Sequence, residues 1–171
     1  HSIKVPFLVS HPGVIPMDNV QSTMASAYDV LPTLLDYLGL PLPNTNLPGQ
    51  SLLPALKGGR INGRDSVVIY DEYGYCRMIR TAEWKYVDRH PDGPHELYDV
   101  VNDPDDRDNL IDDPAHADRV EYLKKKMETW FQQYVIPDMD GRMYDVAGYG
   151  QLRPVGAKWE DGHAPFDGAA K

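Results

Sequence analysis

Met78-Ile79-Arg80-Thr81-Ala82-Glu83-Trp84-Lys85-Tyr86-Val87 is the stretch whose reading decides the fold. Its two arms are rich in apolar, β-branched and aromatic residues, with turn residues between them, which is the grammar of two short paired strands. Working outward, residues 67–70 and 96–98 have the same character, so strands at 67–70, 76–80, 84–87 and 96–98 are expected to form an antiparallel meander. Downstream, Pro114 fits the first position of a helix capped by Asp113 and running to about residue 135. Val120, Leu123, Met127, Trp130, Phe131 and Tyr134 make its apolar stripe, Lys124-Lys125-Lys126 falls on its wet face, and Pro137 stops it. Burying that stripe on the meander is worth roughly 1.5–3 kcal/mol for each large side chain. The result is a small α+β unit with an antiparallel sheet of about four strands packed by a C-terminal helix.

Upstream the grammar differs. Residues 3–9 are a near-continuous apolar run, the pattern of a strand covered on both faces in a parallel sheet, with Pro6 confined to its beginning or edge. His11-Pro12-Gly13 turns the chain. Asp29 then reads as the N-cap of a helix with Pro32 at its third position, and Val30, Leu31, Leu34, Leu35 and Leu38 lie on one broad face. Gly39 stops the helix and Pro41 prevents its restart. That face needs a sheet, and one strand is too little sheet to cover it. Residues 41–63, rich in Pro, Gly and Asn around Leu52, Leu53 and Leu56, read as an irregular connection and a domain boundary. The expected organisation is an α/β fragment (strand plus helix) over 1–60, the α+β unit over 61–137, and an extended tail over 138–171 in which Gly148-Tyr149-Gly150 and Trp159 lie along another surface. The chain lacks an initiating Met and opens just before a strand-like run, so it is expected to be part of a longer protein.

Composition narrows the partners. The net charge of −9 lies beyond residue 60, because residues 1–60 carry Lys4, Lys57 and Arg60 against Asp18, Asp29 and Asp36. Such acidity argues against a nucleic acid or an anionic membrane. No run of about 20 apolar residues offers a membrane span. A single cysteine, Cys76, excludes an internal disulfide and leaves the compartment open, cytoplasmic or periplasmic if the source is bacterial.

The search for chemistry is mostly negative. The six histidines, at 1, 11, 90, 95, 116 and 163, show no metal-ligand spacing. Asn102-Asp103-Pro104-Asp105-Asp106-Arg107-Asp108-Asn109 lacks the glycine and closing glutamate of a calcium loop, and reads as a turn whose carboxylates accept backbone N–H groups. Cys76 sits in a predicted strand with no histidine nearby in sequence and reads as a structural thiol. No catalytic and no metal-binding residue is assigned.

Five motifs in fixed order carry a resemblance. They are residues 5–9 with Pro12-Gly13; Asp29-Val30-Leu31-Pro32-Thr33 continuing to Gly39; Gly49-Gln50-Ser51-Leu52-Leu53-Pro54-Ala55-Leu56; Arg80-Thr81-Ala82-Glu83-Trp84-Lys85-Tyr86; and Glu96-Leu97-Tyr98-Asp99 with Asp103-Pro104 and Asn109-Leu110. Together they resemble the C-terminal portion of a sulfatase, arylsulfatase-like, within the alkaline-phosphatase superfamily. The resemblance implies a sulfuric ester hydrolase whose formylglycine, formed in a Cys/Ser-x-Pro/Ala-x-Arg motif, and whose divalent cation, usually calcium, lie upstream of His1. Cys76 does not fit that motif. The implied partners are the N-terminal catalytic portion and a sulfate-ester substrate, with a homo-oligomer through the tail as a further option.

Within this portion the loop Asp88-Arg89-His90-Pro91-Asp92-Gly93-Pro94-His95 is the candidate pocket wall. Arg89, His90 and His95 are its candidate ligands for an anionic substrate, against the plainer reading of a solvated hairpin. Gly141-Arg142-Met143-Tyr144 and Tyr149 are a second candidate. A phosphonate or phosphodiester hydrolase on the same scaffold and a non-catalytic binding module remain as alternatives.

Overall fold

The computed structural model describes residues 5–43, 45–61, 63–70 and 75–143. They belong to two units, His1–Asp65 and Ser66–Lys171.

The first unit is built on helix α1 (Val30–Tyr37), entered through a 3-10 turn at Ala27–Asp29. Pro32 takes the third helical position, where its missing N–H has no partner to lose. The helix stops at Gly39, whose φ of +67° only glycine adopts without strain. Leu40 N–H then donates to the Leu35 carbonyl at 2.8 Å and Gly39 N–H to the Asp36 carbonyl at 3.1 Å, a Schellman closure.

Asp29 stands just before α1, as expected of an N-cap, but its side chain makes no capping bond to that helix and turns instead to chain on either side. Its carboxylate is fully buried. It accepts the backbone N–H of Ser26 at 2.8 Å and of Gln50 at 2.9 Å, and it pairs with the Arg64 guanidinium. One turn on, the Thr33 hydroxyl donates to the Asp29 carbonyl and accepts the Leu52 N–H at 2.9 Å. A further turn on, Asp36 accepts the Ser51 hydroxyl. Three polar residues on one helix face thus hold residues 50–52 alongside α1. Gly49 is needed for this approach, since a Cβ there would lie 1.9 Å from the Tyr28 carbonyl oxygen. Within the irregular stretch 41–63, the apolar knot forms α2 (Leu53–Leu56), whose last carbonyls at Ala55 and Leu56 accept the Asn19 amide at 2.9 and 3.1 Å.

The strand expected over residues 3–9 is corrected, and α1 is left, as its apolar face implied, without a covering sheet among the described residues. Residues 5–9 carry no regular secondary structure, because no other strand is present among the described residues of the unit to complete a ladder. The leucine face of α1 is also not buried: Val30, Leu31, Leu34 and Leu38 are 40%, 48%, 53% and 64% exposed, whereas Asp29, Pro32 and Thr33 are inside.

The second unit is the expected α+β domain. Strands β1 (Ser66–Tyr70), β2 (Cys76–Thr81), β3 (Trp84–Arg89) and β4 (Glu96–Asp99) pair antiparallel in the order β1-β2-β3-β4. Thr81 forms the β2–β3 turn, its hydroxyl accepting the N–H of Trp84 at 2.9 Å and of Glu83 at 3.3 Å. The register sets Val68 beside Ile79, Ile79 beside Tyr86 and Tyr86 beside Leu97. That row packs against Leu123, Met127 and Phe131 of helix α3 (Ala117–Tyr134) to form the core. Asp113 caps the 3-10 entry to α3 by accepting the Ala115 N–H at 2.9 Å, with Pro114 following it. The outer edge of β4 is closed by Asn109, whose side-chain oxygen accepts the Leu97 N–H at 2.9 Å, and by the Leu110 N–H on the Leu97 carbonyl at 2.8 Å. The acidic run is a set of turns, as expected: Asp103 accepts the N–H of Arg107 at 2.6 Å and of Asp108 at 2.9 Å.

Two substitutions test the α1 network. Asp29→Asn leaves Arg64 without its carboxylate, and breaking such a pair costs about 3–5 kcal/mol. Gly49→Ala forces a backbone shift and costs about 1–3 kcal/mol. Urea unfolding of each variant is the measurement, and a loss below about 0.5 kcal/mol in either would show that the contact does not hold the unit together.

Candidate functional site

Loop 90–95 joins β3 to β4, and strand alternation determines what faces it. Pairing of β2 with β3 places Arg77 opposite Asp88. Both lie on the α3 side of the sheet, two residues from Ile79 and Tyr86, and both are buried. They are charged groups at the end of an apolar row, which an isolated charge would not tolerate. The segment after α3 supplies the counter-charges. Following a 3-10 turn at Pro137–Met139, Asp140 pairs with Arg77 and Arg142 pairs with Asp88. The Arg142 N–H also donates to Asp140 at 2.9 Å. The start of the expected extended tail is thus fixed onto the sheet by two crossed ion pairs, while Tyr144 and Tyr149 lie outside the described residues.

Asp88 is the hub. The Tyr86 hydroxyl donates to its Oδ1 at 3.3 Å, and His95 Nδ1 lies 3.3 Å from the same oxygen. The Arg77 guanidinium stacks 3.7 Å above the Phe131 ring of α3. Burial, reinforced by the Asp88 charge, pushes the Tyr86 hydroxyl well above its ordinary value. Burial, helped by Arg142 and opposed by Asp140, moves the Arg77 guanidinium below its own.

Of the three residues singled out in the loop, His95 joins this cluster and the others stand apart. His95 Nδ1 faces both the Arg89 N–H, at 3.2 Å, and Asp88 Oδ1, at 3.3 Å. Arg89 donates to Glu96 Oε1 at 2.6 Å and to the Pro94 carbonyl at 2.8 Å, so its charge is largely matched. His90 lies nearly parallel to the Tyr75 ring, with centroids 6.2 Å apart, and its N–H donates to the Tyr75 carbonyl. His95 and Arg142, far apart in sequence, converge on Asp88. Arg77 and Asp140 were not singled out from the sequence, and Asp88 only as the first residue of the candidate loop. The signal present there was alternation: a charge two residues from Ile79 and another two from Tyr86 occupy inward positions.

Cys76 is half-buried in β2. Among the described residues no group of three or more His, Cys, Asp or Glu side chains could hold a metal ion. No described helix is long and apolar enough to cross a membrane.

The small α+β unit, a four-stranded sheet with its helix, has counterparts among sulfatases. Residues 1–133 match the family model "N-sulphoglucosamine sulphohydrolase, C-terminal", and the chain belongs to that family. The Delta 4,5-hexuronate-2-O-sulfatase of Bacteroides thetaiotaomicron is 34% identical over 126 residues, which cover 66% of this chain and 25% of that protein. The solved structure of a 2-O GAG sulfatase aligns with a TM-score of 0.58 and 28% identity over 81% of this chain and 29% of its own. The phosphonate monoester hydrolase of Agrobacterium radiobacter aligns with a TM-score of 0.54 and 30% identity over 64% and 25%. The chain spans about a quarter of the length of the curated relatives it matches.

Tyr86 gives a pH test of the cluster. Its folded hydroxyl titrates above the unfolded value of about 10, so the neutral form's contribution is complete below pH 10 and is lost as pH rises beyond it. The wild type should lose stability above pH 10 more steeply than Tyr86→Phe, by up to about 1.4 kcal/mol per pH unit. Parallel slopes in urea titrations between pH 9 and 12 would contradict the placement of Tyr86 against Asp88.

Proposed function

We propose that this chain is the C-terminal portion of a sulfuric ester hydrolase, a sulfatase, in which it serves as scaffold and as one wall of the substrate pocket. The observation that carries the proposal is the family match over residues 1–133, joined to a polar loop held by buried ion pairs on a rigid sheet. The reacting group implied by the resemblance is a formylglycine assisted by a divalent cation, calcium by that resemblance, and it supplies the attack on the sulfate ester from outside these residues. The described side chains do not form an ion site, so no step is assigned to a cation here.

What these residues do is orient and bind. Arg89 and Glu96 close the base of the loop, and the Arg89 N–H and the Asp88 carboxylate both engage Nδ1 of His95. That leaves Nε2 of His95, 33% exposed in its side chain, as the ring nitrogen that, when protonated, donates to an anionic ester oxygen. Arg89 is a loop brace first, and His90 with Tyr75 offers a flat ring surface beside it. A phosphonate monoester hydrolase is the second reading, supported by the likeness to the Agrobacterium enzyme.

The test uses the whole protein that contains this chain, assayed with an aryl sulfate and with an aryl phosphonate monoester under identical conditions. The proposal expects the larger kcat/KM for the sulfate, and His95→Ala should raise KM about tenfold, or ~1.4 kcal/mol, with little change in kcat. Preference for the phosphonate would favour the second reading, and an unchanged KM in the variant would remove His95 from the pocket.

A further inference from the structure

Nδ1 of His95 stands between a donor and an acceptor. The Arg89 N–H faces it at 3.2 Å, and Asp88 Oδ1 lies 3.3 Å away. The ring is held in that place from several sides. The His95 carbonyl accepts the Asn109 amide at 3.2 Å, and the ring tilts against Tyr86 with centroids 6.4 Å apart. Arg89 lies beyond the last β3–β4 pair, Val87 with Glu96, and its N–H turns to the ring.

One nitrogen cannot serve both neighbours. With a lone pair on Nδ1, the ring accepts the Arg89 N–H but turns that lone pair on a carboxylate. With the proton on Nδ1 of a neutral ring, Asp88 gains a donor, yet Nε2 is left bare and has nothing to donate to an anion. Only the imidazolium gives Asp88 its donor and keeps an N–H on Nε2, with the Arg89 contact given up. The charges around the ring decide when that form is populated. Arg77 is matched by Asp140, Arg89 by Glu96, and Asp88 by Arg142, which takes Oδ2 and leaves Oδ1 to Tyr86 and the ring. Within the loop, Asp92 is exposed and His90 lies along the Tyr75 ring, while Glu128 of α3 acts on the Tyr86 hydroxyl. The paired groups sum to zero, so an imidazolium at His95 is a positive charge in excess. An anion at Nε2 removes that excess.

We propose that Asp88 is a positioning residue for anion capture: it holds the Nδ1–H of a His95 imidazolium that forms as an anionic sulfate group meets Nε2. One proton passes from solvent to the ring with each anion bound, and no bond of the ligand breaks. Arg142 sets the balance from the other side, because its charge on Oδ2 keeps the carboxylate from holding the imidazolium unaided. This arrangement rests on the reading of His95 as a pocket residue and gives Asp88 and Arg142 defined parts in it.

The experiment uses the whole protein that contains this chain, isotope-labelled at its histidine nitrogens, with inorganic sulfate as the probe. Nitrogen NMR reports the charge of each ring, and the His95 signals are identified by their loss in His95→Gln. At a pH of about 7.5, saturating sulfate should raise the imidazolium fraction of His95 at least about threefold over the free protein. Asp88→Asn should abolish that rise. Arg142→Gln leaves Asp88 an unmatched charge and should raise the imidazolium fraction with no sulfate present. Opposite changes from two breaks of one ion pair do not arise from a loosened fold. An unchanged fraction in Arg142→Gln, or a wild-type response to sulfate in Asp88→Asn, overturns the proposal. Wild-type signals that move on sulfate addition without gaining charge also overturn it, while leaving His95 in the pocket. Signals that do not move at all overturn both the proposal and the pocket reading, so the two fail distinguishably.

Discussion

The Asp29 carboxylate is the constraint on which the first unit depends. A buried carboxylate is tolerated only where donors surround it, and here two backbone N–H groups and a guanidinium do so. Each donor comes from a different stretch of chain: the turn before α1, the segment after Gly49, and Arg64. One side chain therefore organises a unit that has little apolar core and no described strand. The same helix carries Thr33 and Asp36 at one-turn intervals, which is why Asp-x-x-Pro-Thr and Gly-x-Ser-Leu occur as a pair in this sequence. The first supplies acceptors, and the second supplies backbone donors close enough to reach them, which is why its first residue is glycine.

The second unit solves the same problem on a sheet. Arg77 and Asp88 face each other at the end of an apolar row, and the chain returns after α3 to match both with Asp140 and Arg142. Four charges cancel in pairs, and the loop after β3 is fixed at its base by the same Asp88. Catalytic and binding groups in enzymes work best on rigid supports. Here the rigidity comes from the ion pairs, and in the proposed function the loop's exposed groups are the ones offered to a substrate.

Much of this was legible in the sequence. The β2–β3 hairpin, the Asp113 cap and the stripe of α3 follow from local rules that tertiary context did not override. So does the stop at Gly39, because only a positive φ closes that helix. The reading failed where a residue's role depends on chain distant in sequence. Asp29 reads as a cap because capping is local, yet its partners Gln50 and Arg64 lie well beyond the helix. The strand expected at 5–9 needs neighbours that no described residue of its unit provides. In the loop, Arg89, His90 and His95 were visible as polar residues between strands, but nothing local indicated that Arg89 would be matched by Glu96 or that Arg142 would reach Asp88.

Scaffolding and pocket-building are the two tasks that this account gives the chain. A crystal structure of the whole protein with a sulfate ester bound tests that division most directly. The account predicts His95 Nε2 within hydrogen-bonding distance, about 3 Å, of an ester or sulfate oxygen, with the Arg77–Asp140 and Asp88–Arg142 pairs intact behind it. A bound ester with loop 90–95 turned to solvent and no residue of this chain in contact would contradict it, and would leave these residues as scaffold alone.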